Sequence, residues 1–547
     1  MRHGFLKTLA DSRKMKYSTL SLAFCAVVIA VVILLNTIIS VLASSFNWYI
    51  DMTDEQMFTL SDDAKDILDN INKDAKLEIV FPLSKDQIDT DYAVSSTSGS
   101  IGYIHKTALE IAQECDNVTI SYHDTTKDYE FYKNAGLTSH AGPENILILR
   151  QTPNGRYAEG DFRSYPINYF FVQKGANDSS LYAYNGELVF LSALIAMSRD
   201  TTPTVYFTIG HDELNFIGEV GELTYDNIGS AYAAGKIEPE AYVLMTIFCD
   251  CGFTIKPLDI RLNEIPTDAR MMVINQPTAD FTEEELFKIT NYLQAGGAVF
   301  CFTPFGAELP ELYSTLSKNY GVQISPSVSP VIDDSHKMTN GGAVHYLANV
   351  SKDDDSFATA KYFSAYSNYS SANAYYSDAG SIIINPLYKT TEGYQEGTLR
   401  KYTYPLLESA STAKLGDSTG VHSLMTITSI DSWSTTNESS TFSYLVVCPS
   451  GNPVRDASGS MAVKKTGGFA SSTALSLSTA NRHMLLSLIQ TTSSVQTPVN
   501  LDYKPFVEYE LEITDSQARN VTIVISTILP VIIAVCGVVV IVRRKHR

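Results

Sequence analysis

What this sequence lacks narrows its chemistry more than what it holds. No GxxxxGK[ST] run is present, so the chain has no loop of its own to cradle nucleotide phosphates. HExxH is absent, which removes the local signature of a zinc peptidase. No CxxC occurs, and seven cysteines make no disulfide framework. Cys25 and Cys536 fall in long apolar runs; Cys115, Cys249, Cys251, Cys301 and Cys448 are an odd number, mostly beside apolar stretches. Such residues read as buried free thiols. Cys249 and Cys251, two apart on a helix, face away from each other. Positive charge is also short. Lys and Arg number 40 against 60 Asp and Glu, a net −20, which argues against nucleic acid and anionic surfaces as partners.

What is present is a globular composition, 44% hydrophobic and 18% charged over 547 residues, enough for two or three domains. Two apolar runs without charge, Leu20 to Leu42 and Val521 to Val542, exceed the length that marks a membrane-spanning helix. The alternative for the first is a signal peptide cleaved after Val41-Leu42-Ala43, but a signal's apolar core is shorter, and Trp48 and Tyr49 suit an interfacial belt. Each outer flank carries +4, leaving −28 between them. The expectation is two transmembrane helices, 18–43 and 521–542, in the cell membrane. Cytoplasmic tails at 1–17 and 543–547 and an extracytoplasmic part over 44–520 follow from the positive flanks.

The outer part reads as α/β. The run Thr204-Val-Tyr-Phe-Thr-Ile-Gly-His-Asp-Glu213 organises it: Val205 to Ile209 suits a strand buried on both faces, and Gly210 ends it. Similar runs follow at Phe253 to Leu258, Met271 to Ile274 and Ala298 to Phe302, alternating with helical patterns near Glu238 to Cys251 and Leu309 to Tyr320. Thr282 and Glu285 make a capping box, and Gly296 and Gly297 stop that helix. Such alternation predicts a doubly wound, mostly parallel Rossmann-like sheet over 201–498. Residues 44–200 hold a strand–helix–strand order that resembles a thioredoxin-like unit without redox cysteines. The polar segments 351–380 and 410–441 read as surface excursions or irregular β, and 499–520 as a linker.

Several stretches together resemble one family: "FTLSDDAKDIL" after an aspartate-containing turn, "TIGHDE" where the family has Gly-His-Gly-Glu, "FTEEELFKITNYLQAGGAVF", "NRHMLLSLI" and "LEITDSQARN". Their order is similar to that of the GldG family, a membrane-anchored auxiliary component of ABC-type transport systems. The resemblance implies a glutamine-amidotransferase-like Rossmann domain without catalysis, and as partners a permease and a separate ATPase chain. It implies no cofactor.

Polar residues at the ends of parallel strands share one edge, where ligands bind in open α/β sheets. Gly210, His211, Asp212, Glu213, Asn275, Gln276 and Thr303 are therefore the candidate ligand-binding residues; equally, they cap helices and satisfy loops. Three successive residues seldom chelate one ion, so no metal is assigned to His211, Asp212 and Glu213, and no catalytic residue is assigned. Asn36, polar within the first apolar run, is the candidate contact for a neighbouring membrane helix. The expected function is a non-catalytic auxiliary, substrate-interacting subunit. The alternatives are a surface hydrolase using the strand-end site, or a cell-wall glycan-binding protein, prompted by 32 tyrosines.

Overall fold

The computed structural model describes residues 24, 26–38, 51, 53, 56–89, 99–158, 160–175, 178–327, 329–337, 344–351, 361–371, 373–390, 392–434, 439–451, 453–454 and 480–506. Among them no helix is long and apolar enough to cross a membrane. Residues 26–38 of the first apolar run are helical, with Asn36 exposed. Among the described residues, then, no span is present to carry a membrane anchor. This corrects the expectation of two transmembrane helices, and with it the placement in the cell membrane with cytoplasmic ends and an extracytoplasmic 44–520. The second run, 521–542, the tail 543–547 and the stretch "LEITDSQARN" lie outside the described residues.

The fold is a mixed α/β body of several sheets, and its large sheet is not the mostly parallel Rossmann-like one expected. Helix α1 (Asp62–Asn70) starts at Ser61, whose hydroxyl accepts the Ala64 N–H, and buries Ala64, Ile67 and Leu68. The first sheet has the order β2-β1-β3-β4, with β1 (Leu77–Phe81) parallel to β2 (Val118–Tyr122) and antiparallel to β3 (Asn145–Arg150). Strand β4 (Phe162–Pro166) closes it antiparallel to β3. Helix α2 (Ile101–Glu114) forms the crossover between β1 and β2. Helix α3 (Gly186–Met197) is buried on nearly every side, as its largely apolar sequence requires, and touches α1, α2, β3 and a helix beyond the sheet.

The large sheet begins with β5 (Thr204–Thr208), flanked by β6 (Thr254–Leu258) and β7 (Ala269–Asn275), followed by β8 (Ala298–Phe302). These are parallel. Its second half holds β9 (His345–Val350), β10 (Asn373–Ser377), β11 (Leu399–Glu408), β12 (Ser423–Ser434) and β13 (Ser439–Cys448). Only β13 joins the parallel set, beside β8; the others pair antiparallel in the order β10-β9-β11-β12-β13. The sheet is therefore mixed. Long hairpin strands need only a tight turn, whereas each added parallel strand needs a crossover.

Four named helices cover the parallel half, and the strands' alternation shows how. Val205, Phe207, Met271, Val273 and Phe300 face α5 (Pro239–Asp250) and α8 (Asn481–Ser493). Tyr206, Met272, Ile274, Val299 and Cys301 face α6 (Glu283–Gln294) and α7 (Pro310–Tyr320). Burial on both faces is why these strands read as unbroken apolar runs. Between β5 and α5 lies the short helix α4 (Tyr225–Ala233).

One buried node ties the ends of this body together. Glu187, in the first turn of α3, accepts the Ser61 N–H and hydroxyl and pairs with Lys504 Nζ at 2.6 Å. The same ammonium donates to the carbonyls of Gln56 and Thr59 at 2.8 and 2.6 Å.

Candidate functional site

The carboxyl ends of β5, β7 and β8 do lie on one edge, and the residues there divide into two groups. Gly210 takes φ 110°, and a β-carbon there would run into the Arg261 guanidinium. Asp212 follows at φ 55°, a conformation aspartate tolerates better than most residues. This bent loop turns His211 inward and leaves Asp212 exposed.

His211 is 3% exposed and stacks on the Phe281 ring at a centroid distance of 3.8 Å. Its Nδ1 lies 3.3 Å from Glu213 Oε1 and its Nε2 3.2 Å from Glu285 Oε2. Both nitrogens facing carboxylates require the doubly protonated ring. Burial disfavours that cation, but hydrogen bonding and attraction from Glu213 and then Glu285 outweigh it, and His211 holds its proton above the ordinary histidine range. Burial likewise opposes ionisation of the two acids. Glu213 is nevertheless held below its usual range by hydrogen bonds from the His211 side chain and backbone, and Glu285 by those from Thr282 and His211. The His211 carbonyl also accepts the Thr278 and Ala279 N–H groups. The cluster is a clasp between the end of β5 and the start of α6.

Asn275 and Gln276 end β7 and serve the loop backbone. Asn275 Nδ2 donates to Leu214 O at 3.0 Å and to Asn215 Oδ1 at 3.1 Å, while Asn215 reaches back to Thr208 O. Gln276, at φ 55°, donates its N–H to Phe302 O. Thr303 exchanges backbone bonds with Cys448 and Gly451, on the side away from His211. A cavity of about 690 Å³ opens beside the clasp, and of the seven candidates it is lined by Gly210, Asp212 and Glu213, together with Phe216, Glu219 and Pro257. His211, Asn275, Gln276 and Thr303 do not line it.

Sequence reasoning missed Glu285 as the far partner of His211, along with Phe281 and Asn215. Only the capping-box spacing pointed to Glu285, and it pointed to a local role. It also missed Gly416-Asp-Ser-Thr-Gly420, which has the GxSxG spacing of a nucleophile elbow. In the structure this run is the turn of a small hairpin pairing Lys414–Leu415 with Ser418–Thr419. An elbow needs a strand-to-helix turn that lifts the serine over a sheet, so the motif carries no such chemistry here. Cys301 lies inside β8, where burial pushes its thiol up to about 12. Among the described residues no group of His, Cys, Asp and Glu is placed to hold a metal ion.

No family model matches the chain. No curated protein matches it either. Among solved structures it is similar to the mmIFT52 N-terminal domain, at 12% identity and a TM-score of 0.28 over 45% of this chain and 86% of that one. It is similar also to an exo-beta-1,4-mannosidase from an Opitutaceae bacterium, at 8% identity and a TM-score of 0.22 over 64% of this chain and 44% of that one. A putative ThuA-like protein from Parabacteroides merdae aligns at 10% identity and a TM-score of 0.26, over 56% of this chain and 98% of that one. At these scores none carries an argument about fold or activity.

Proposed function

We propose that the chain is a non-catalytic auxiliary subunit of an ABC-type transport system. It recognises a substrate or partner while a permease and a separate ATPase chain do the transport. The observation that carries this reading is the state of His211. Enzymes that use a histidine keep one ring nitrogen available to the reacting group. Here both nitrogens are spent on Glu213 and Glu285 and the ring is buried under the loop. The open cavity beside it presents Asp212, Glu219 and an apolar wall, which suits recognition better than turnover. The GldG-like order of sequence landmarks supplies the transport context.

The test is isolation of the tagged full-length chain from a detergent extract of its own cells, with the co-purifying proteins identified by mass spectrometry. An ABC permease and ATPase are expected. A chain that comes out alone and hydrolyses a substrate, with activity lost in His211→Ala, is the hydrolase of the alternative reading.

A further inference from the structure

A second cavity, of about 540 Å³, lies where β4 and the end of α3 meet the start of α4 and the segment 249–254. The strand-end site does not use it. Depth sorts its residues by charge. Arg163 sits at the floor, buried with Met197, Cys249 and Phe253, while Glu222 and Asp226 line it from exposed positions at the mouth.

Arg163 is the unusual member. Its guanidinium donates to Cys249 O at 3.1 Å and to the Tyr165 hydroxyl at 3.4 Å, and lies 4.5 Å over the Tyr225 ring. All three partners are neutral. Nearby, Arg199 donates to the carbonyls of Cys251 and Gln496, and Arg482 is buried as well. The acid among them is Asp250, which burial pushes up to about 7 against the pull of Arg482 and Arg163. Asp502 is a second acid acting on Arg482, and Arg163 is the guanidinium that lines the cavity. A buried guanidinium facing an open volume is costly unless an anion reaches it. At the mouth the sign reverses, with Glu222 sharing Lys256 with Asp268 at 3.6 and 3.7 Å.

We propose that this cavity binds a small dipolar molecule of the free α-amino-acid class, its carboxylate on Arg163 and its ammonium toward Glu222 and Asp226. A simple anion meets the acids at the mouth, and a simple cation meets the buried guanidinium. A molecule carrying both charges matches both ends. The planar fork of arginine suits a carboxylate, and the position over the Tyr225 ring helps hold the guanidinium in place. Met197 and Phe253 offer an apolar wall to the ligand's side chain.

Calorimetric titration of the full chain with L-leucine, L-phenylalanine and L-tryptophan tests this, alongside the amide of each, which lacks the carboxylate, and the N-acetyl form, which lacks the ammonium. At least one free amino acid binds saturably, and both of its derivatives bind at least about tenfold more weakly, a loss of ~1.4 kcal/mol or more. Glu222→Gln weakens binding and Arg163→Met abolishes it. Because Arg163 is buried and its loss can unfold the region, Thr202→Trp is the second variant. Thr202 is exposed and lines the cavity, so the indole closes it from outside, leaving the melting temperature unchanged and removing binding. The proposal is overturned if none of the three amino acids binds, if an amide or N-acetyl form binds as well as its parent, or if a folded Thr202→Trp binds like the wild type.

Discussion

His211 spends both of its ring nitrogens on carboxylates from different parts of the chain. Removing it leaves Glu213 and Glu285 facing each other in a buried site, so His211→Ala costs roughly 3 kcal/mol or more in chemical denaturation. The pH dependence has a definite sign. With its folded value raised, the histidine's contribution is complete below its ordinary value of 6.5 and fades as pH rises through the raised one. The two acids, with lowered values, contribute above 4.5 and lose that contribution as pH falls through those values. Wild type thus loses stability on both sides of a window between these limits, and His211→Ala abolishes the high-pH loss, as denaturant midpoints across pH will show. The five cysteines among the described residues are free and buried, with Cys251 and Cys301 each pushed up to about 12 by burial. A thiol reagent should leave all five untouched in the native protein and react with them after unfolding. At this scale the sequence showed where polar groups cluster but not which partner each finds. His211 and Glu213 stand two residues apart, whereas Glu285 reaches them only once α6 docks against the end of β5.

Elements were legible wherever a local signal coincided with burial. The apolar run at 205–209 is β5 to within a residue, and the capping box at Thr282 opens α6 as its spacing predicts. Thr282→Ala should cost about 1 kcal/mol as a lost cap. Because the same Glu285 serves both cap and histidine, the loss in Thr282→Ala combined with His211→Ala should differ from the sum by about 0.5 kcal/mol or more in a double-mutant cycle. Gly210→Ala places a side chain at φ 110° against Arg261, and should destabilise by more than ~1 kcal/mol. What escaped the sequence was the antiparallel half of the large sheet. Within 410–441, read as irregular, runs β12, one of the longest strands. Its Thr426 and Thr428 are fully buried, and Thr428 bonds Thr403 of β11 across the pair at 2.9 Å. Threonine is β-branched and suits a strand, but its hydroxyl reads as surface unless the partner that satisfies it is known.

For the whole molecule, local patterns identify strands yet leave their order open, because pairing joins segments far apart in sequence: β13 lies beside β8 although 136 residues separate the end of one from the start of the other. The parts of the Glu187 node are also far apart in sequence, Ser61 standing 126 positions before Glu187 and Lys504 lying well beyond it. Replacing Lys504 by Met strands the buried carboxylate of Glu187 and should lower stability by roughly 3 kcal/mol, read as a drop in denaturant midpoint with unchanged slope. The node has a further consequence. Lys504 touches the carbonyls of Gln56 and Thr59, so the chain arrives and departs at one spot on the body's surface. A folded unit whose two ends stand side by side behaves as a closed loop with a single doorway. It can be spliced into a surface turn of a host protein without prising that turn apart, or have its ends joined by a short linker and be reopened elsewhere, and in either form the fold within need not be redrawn.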